Sequence, residues 1–175
     1  EAKRAQDDLA EREAHYRQLL DVLPAAISTT DAQGTITYFN RASVEFSGRV
    51  PNIGKDNWCV TWRLYCPDGT PLPHDQCPMA ITLRERRPVR DVEAIAERPD
   101  GSRVPFRPYP TPLIGKNGEL AGAVNMLVDI SSQKKAEEQQ HLLVRELHHR
   151  VKNTLATGQA IMGSTMRCSA TTKEC

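Results

Sequence analysis

Strong charge of one sign is missing from this 175-residue chain: 23 Lys and Arg stand against 22 Asp and Glu, a formal +1. The basic residues are scattered among the acidic ones, so the pattern has no electrostatic footprint for nucleic acid or an anionic membrane. No apolar run approaches the roughly 20 residues that a membrane span needs. No charged segment leads into an apolar one in the manner of a signal peptide. The five cysteines are an odd number and include no Cys-x-x-Cys pair, which suits the reducing cytoplasm better than a disulfide framework. Cys59, Cys66, His74 and Cys77 offer zinc-type donors. Their spacings match no compact zinc pattern, so they read as buried or loop residues with no metal. The chain begins at Glu1 instead of Met and ends on "TTKEC". It therefore reads as an excerpt, and a membrane anchor outside it stays open.

Residues 1–22 contain no Gly or Pro and are rich in helix formers. Ala2, Ala5, Leu9, Arg12, Tyr16, Leu19 and Leu23 recur at a spacing of three and four, a heptad seam interrupted at Arg12. Pro24 stops this helix. Beyond it the period changes. "AAISTTD" (residues 25–31) and "TITYFN" (residues 35–40), joined by the turn residues "DAQG", predict a β-hairpin. A short helix over residues 41–46 ends at Gly48, and a segment punctuated by Pro and Gly runs to Pro73. Pro78 suits the first turn of a helix through "MAITLRERR". "VRDVEAIAER" (residues 89–98) alternates apolar with charged residues and predicts a half-buried strand. "RVPFRPYPTPLI" runs back, and its four prolines predict an edge strand or irregular pairing. "ELAGAVNMLVDI" (residues 119–130) is the most continuous apolar run and the best candidate for a central strand. From Ser131 to Met166 the pattern is helical again, with Ser131 or Ser132 available as a cap. The fold class is α+β, a five-stranded antiparallel sheet with helical insertions between its second and third strands. The flanking helices can form dimerisation seams of the coiled-coil kind.

This order of elements resembles that of a PAS sensor domain. "YFNRAS" (residues 38–43) is similar to the family's Asn-containing segment after the second strand, and "NMLVDIS" (residues 125–131) to the step that hands its last strand over to a signalling helix. The likeness covers about residues 24–131. A second stretch, "ELHHRVKNTLATGQAI" (residues 146–161), resembles the phosphoacceptor box of the HWE group of bacterial sensor histidine kinases. That resemblance implies that His149, the histidine before Arg150, accepts phosphate and passes it to an Asp of a response regulator. It divides the chain into a linker helix (1–23), a sensor domain (24–131) and the first part of the dimerisation and phosphoacceptor region (132–175). It also implies ATP with magnesium for the parent kinase, bound by that protein's own ATP-binding domain, because these residues hold no Asn-rich or Gly-rich nucleotide box.

Geometry speaks to which histidine. At about 100° per residue, with Leu147 set to zero, Leu143, Val144, Val151, Leu155, Gly158, Met162 and Met166 fall within about −40° to +100°, one apolar stripe. His148 falls at about 100°, on the edge of the stripe, and His149 at about 200°, facing water. Glu146 and Asn153, at about 260° and 240°, flank His149. The carboxylate of Glu146 can hold the ring tautomer or take its proton. Asn153 can orient a water or an incoming phosphoryl oxygen, and Arg150 and Lys152 can offset phosphate charge. The plain alternative for an exposed histidine on a charged helix is a solvated residue.

The signal sensed is open, since the PAS resemblance admits flavin, haem, a small acid or no ligand. A light-driven flavin adduct would call for an Asn-Cys-Arg-Phe-Leu type of segment. The candidate here, "DNWCVTWRL" (residues 56–64), places Trp58 between Asn57 and Cys59. For haem, His74 is the one histidine of the core region. Trp58, Trp62, Tyr65 and Phe106 read as core or interface aromatics. The leading functional expectation is the sensor and phosphoacceptor part of a histidine kinase, working as a parallel homodimer. A PAS module that dimerises and regulates without phosphotransfer, and a coiled-coil adaptor, are the alternatives.

Overall fold

A computed structural model describes the backbone of residues 2–170 and the side chains up to residue 153, apart from those of residues 2, 4, 5 and 9. It separates into two units, Glu1–Ser131 and Ser132–Cys175.

The first unit opens with helix α1 (Ala2–Asp21). Strands β1 (Ala26–Asp31) and β2 (Ile36–Phe39) then form the hairpin that the alternation predicts. Its turn is set by Asp31, whose Oδ1 accepts the backbone amides of Gln33 and Thr35 at 3.0 and 2.8 Å. Helix α2 (Arg41–Ser47) is capped at its start by Asn40 and at its end by Gly48, whose φ of 67° is the left-handed geometry that glycine adopts without strain. Strand β3 (Arg63–Tyr65), helix α3 (Pro78–Glu85) and strands β4 (Ala94–Glu97), β5 (Arg103–Pro108), β6 (Thr111–Ile114) and β7 (Leu120–Asp129) complete the unit. The sheet runs in the order β2-β1-β7-β5-β4-β3, every pairing antiparallel, with β6 also on β7.

The architecture is α+β, with seven strands where the sequence pattern counts five. Three physical details separate the structure from that pattern, and two of them add a strand. The proline-rich run is two strands, broken at Pro108–Pro110, and each pairs with a different part of β7. Its first half is also no edge: β5 lies between β7 and β4, and the Pro105 carbonyl still accepts the Ile130 amide at 3.0 Å although its nitrogen donates nothing. The third difference is β3, three residues inside the Pro- and Gly-punctuated segment, which pairs with β4. In turn β4 is shorter than the alternation from Val89 suggests, because Asp91 has a φ of 58° and breaks the extended path.

One face of the sheet carries the core. Ala26, Ala94, Ala96 and Ala123 are buried on the strands, and their small size admits Phe106 and the α3 residues Met79, Ala80 and Leu83. Phe46 of α2 meets Phe106 edge to face, with ring centres 5.4 Å apart. Phe106 is 2% exposed, and a ring buried to that extent contributes about 2–3 kcal/mol through removal from water. The other aromatics divide: Trp58 packs against the core partly buried, Tyr65 lies under the Arg103 guanidinium, and Trp62 stands about half exposed, outside the core.

Asn40 ties these elements together. It is 1% exposed. Its amide nitrogen donates to the carbonyls of Leu20 and Ala25, both at 2.9 Å. Its Oδ1 accepts the Ile27 amide (2.9 Å), the Ser43 amide (3.1 Å) and the Ser43 hydroxyl (3.0 Å). One side chain therefore joins the end of α1, the start of β1 and the first turn of α2. At the same end of the sheet, where β7 finishes beside the start of β1, Asp129 Oδ1 accepts the Ser131 amide at 2.8 Å. The acceptor at the start of the last helix is thus this carboxylate instead of a serine hydroxyl.

The second unit is the continuation of helix α4 (Ser131–Ala170), which contains no proline. Within a single chain the stripe residues Leu143, Val144, Leu147 and Val151 are all exposed, and so is Leu142. The same holds for Tyr16 and Leu19 on α1 and for Leu23 just beyond its end. The seam positions Ala2, Ala5 and Leu9, and the stripe positions Leu155, Gly158, Met162 and Met166, lie outside the residues whose side chains are described. Among the described residues no helix is long and apolar enough to cross a membrane.

Candidate functional site

On a helix, residues four apart are neighbours on one face. Two such pairs surround the double histidine of α4. Arg150 donates to Glu146 Oε1 at 2.6 Å. One turn further on, the Asn153 amide nitrogen lies 3.3 Å from Nδ1 of His149. The helix therefore brings Glu146, His149, Arg150 and Asn153 onto adjoining positions of one exposed face. It does not bring Glu146 to the imidazole: the carboxylate that the helical wheel offers to the ring is held by the guanidinium. The side chain bonded to the ring is Asn153. His148 is exposed too, and lines a groove of the same helix with His141, Leu142 and Arg145. Within a single chain it is therefore not packed at the edge of a stripe.

An exposed neutral imidazole can act as a nucleophile, through the ring nitrogen that lacks the proton, towards an electrophile presented by another domain. The Arg150–Glu146 pair puts a cation one residue from it. Arg150 is about three-quarters exposed, so its field is screened by solvent and acts chiefly on a charge brought close.

A second polar concentration lies in the first unit, where Arg49, Asp56, Trp58, Cys59 and His74 line an open cleft of about 340 Å³. Arg49 pairs with Asp56 and also donates to the Val60 carbonyl at 2.9 Å. Partial burial works to raise Asp56, but the Asn52 amide and Arg49 outweigh it and hold the carboxyl below its usual value. Burial pushes the His74 ring below its ordinary value, against a hydrogen bond to the Thr61 backbone, so neutral imidazole is favoured. Its Nε2 is buried without a hydrogen-bond partner. Cys59 and Cys77 are buried free thiols. Desolvation raises both, and Cys77 is pushed up to about 12, with the neighbouring Cys59 adding to the effect. The Thr61 hydroxyl donates to Cys59 Sγ at 3.1 Å. Cys66 is partly exposed. Among the described residues, no three His, Cys, Asp or Glu side chains come together as a metal site, so Cys59, Cys66, His74 and Cys77 do not form one.

Sequence reasoning missed the Asn40 junction. Its local signal was present in "NRAS", an Asn followed three residues later by Ser at a helix start. Its reach to α1 and β1 was not.

Comparison with known proteins gives two family matches. Residues 24–132 match the family model described as PAS domain, and residues 146–175 match the one described as HWE histidine kinase. An uncharacterized protein of Sinorhizobium fredii, y4lL, is 28% identical over 152 residues, covering 86% of this chain and 18% of that protein. A protein of Brucella anthropi named blue-light-activated histidine kinase is 42% identical over 55 residues, covering 31% of this chain and 11% of that protein. The chain thus spans less than a fifth of the length of the curated relatives it matches. Among solved structures, an RNA-binding light-oxygen-voltage receptor superposes with a TM-score of 0.56 at 15% identity, covering 81% of this chain and 39% of that one. At that identity the likeness is one of fold.

Proposed function

Because the chain belongs to the PAS domain family and carries an HWE histidine kinase segment at residues 146–175, we propose that it is the sensor and phosphoacceptor part of a two-component sensor histidine kinase. The PAS core receives a signal, and α4 carries it to His149. His149 takes the γ-phosphoryl group of magnesium-bound ATP from the protein's own nucleotide-binding domain and passes it to an aspartate of a response regulator. One observation carries this reading: within the matched segment His149 is exposed, with the Asn153 side chain beside its ring. The resemblance of "ELHHRVKN" to the phosphoacceptor box supports His149 over His148. Arg150 and Lys152 supply positive charge for the phosphate, and Glu146 anchors Arg150.

The protein works as a parallel homodimer in this proposal. The exposed apolar side chains Leu143, Val144, Leu147 and Val151 on α4 support it, because an apolar stripe in water gains stability by meeting a second one. A monomer by light scattering at micromolar concentration would count against the dimer.

The test of the main reading is incubation of the full-length protein with labelled ATP and magnesium. Label is expected on the wild type and on H148Q, and absent from H149Q. Label that survives H149Q and disappears in H148Q reverses the assignment. Absence of label from all three favours a PAS module that regulates by dimerisation without phosphotransfer.

A further inference from the structure

The first unit holds a buried polar atom that its own fold leaves unserved. Nε2 of His74 is buried without a hydrogen-bond partner, and His74 lines the open cleft of about 340 Å³. A buried polar atom in that state is costly, and a ligand that supplies the missing bond recovers the cost. Burial favours the neutral ring, in which each nitrogen is either a donor or an acceptor. A hydroxyl suits both cases, because it can donate and accept.

The other walls narrow the chemistry. Trp58 and Trp62 bring indole surface to the cleft, which a flat aromatic ring covers well. Trp62 is about half exposed and has surface to give. Trp58 is held at a φ of 60°, a left-handed conformation that bulky residues rarely adopt. Its own amide on the Gly34 carbonyl and the Cys59 amide on the Asn57 carbonyl, both at 2.7 Å, fix it there. Backbone strain held in this way clusters at ligand sites. Of the two cations on the cleft, Arg49 is committed to Asp56 and the Val60 carbonyl. The Lys55 ammonium makes no ion pair among the described residues, which leaves it for an anionic group.

We propose that this cleft binds a small hydroxylated aromatic carboxylate, with the hydroxyl on His74 Nε2, the ring against the indoles of Trp58 and Trp62, and the carboxylate towards Lys55. Binding there is independent of whether His149 accepts phosphate, and the experiment reads binding alone.

Isothermal titration calorimetry of the full-length protein compares 3- and 4-hydroxybenzoate, two spacings of the same groups, with benzoate and with the amide of the tighter isomer. The tighter isomer is expected to bind about 3–10-fold better than benzoate, the factor that one hydrogen bond is worth. It should also bind about threefold better than its amide, a preference that added salt reduces because Lys55 is exposed. H74F should erase the preference for the hydroxyl and keep the preference for the acid. K55Q should do the reverse. W62A should weaken every probe by about 3–10-fold. Lys55 and Trp62 are exposed, so K55Q and W62A should keep the wild-type unfolding midpoint and decide the matter even where H74F fails to fold. No binding of either hydroxybenzoate, a hydroxyl preference that persists in H74F, or affinities that K55Q and W62A leave unchanged would overturn the inference.

Discussion

Replacement of Asn40 probes the junction on which the start of the sensor unit depends. In N40A five side-chain hydrogen bonds disappear at a position that is 1% exposed. Counting each at the full net value of a hydrogen bond would overstate the cost, because water can reach the α1 carbonyl and the cavity relaxes. Two losses are harder to repair. The cap on α2 is worth about 1 kcal/mol. The partly buried Ile27 amide, which bonds Asn40 Oδ1 at 2.9 Å, loses its acceptor, at about 1–3 kcal/mol. N40A should therefore lower unfolding stability by about 2–4 kcal/mol. N40D separates the two ends of the amide. It keeps the acceptor that caps α2 and holds Ile27, but turns a carboxylate towards the carbonyls of Leu20 and Ala25. That carboxyl is buried among acceptors, so its pKa in the folded state lies above the unfolded value. The sign follows: N40D is destabilised near neutral pH and recovers as pH falls through the raised pKa, when the acid can donate again. N40A shows no such recovery. Urea unfolding followed by the fluorescence of Trp58 and Trp62 measures both. A loss below about 1 kcal/mol in N40A, or identical pH profiles for the two variants, would refute the reasoning.

Two further outcomes follow from the same structure. A Cβ on Gly122 would stand 2.0 Å from the Thr30 carbonyl oxygen, at a φ of 154°. G122A should therefore force β1 away from β7 and cost about 3 kcal/mol in urea unfolding, and a variant as stable as wild type would contradict that strand approach. Asp56 is held below its usual pKa by the Asn52 amide and Arg49 against the effect of burial, so its contribution is present above the unfolded carboxylate pKa and lost as pH falls through the lower folded value. D56N should flatten part of the acid loss of stability, and a midpoint-versus-pH curve unchanged from wild type would show that the Arg49 pair contributes nothing to folding.

Where local patterns governed the chain, the fold was legible. The β1–β2 hairpin, the helix opened by Pro78 and the central β7 all follow from alternation, turn residues and proline placement. The errors fall where tertiary geometry competes with pattern. Alternation from Val89 predicted a longer strand, but Arg90 reaches the Pro110 carbonyl at 2.8 Å and Asp91 turns left-handed, so pairing starts at Ala94. The four prolines suggested an edge or irregular pairing because a missing donor weakens a ladder, and that holds for β6, which pairs with β7 alone and shifts register, but not for β5. The sheet instead uses the Pro105 carbonyl and breaks the chain after Pro108, so two short strands share one long neighbour. Neither solution is visible without the partner strand.

The candidate site on α4 was more legible than the sheet because its geometry is local. A helix makes neighbours of residues four apart whatever the rest of the molecule does, so the closeness of Asn153 to His149 is contained in the spacing. The contact that Glu146 makes has a reason equally local. Glu146 stands three residues before His149 and four before Arg150, and a carboxylate given both choices takes the permanent cation, which forms the shorter, charge-assisted bond. Spacing alone cannot rank two neighbours on one helical face; charge does.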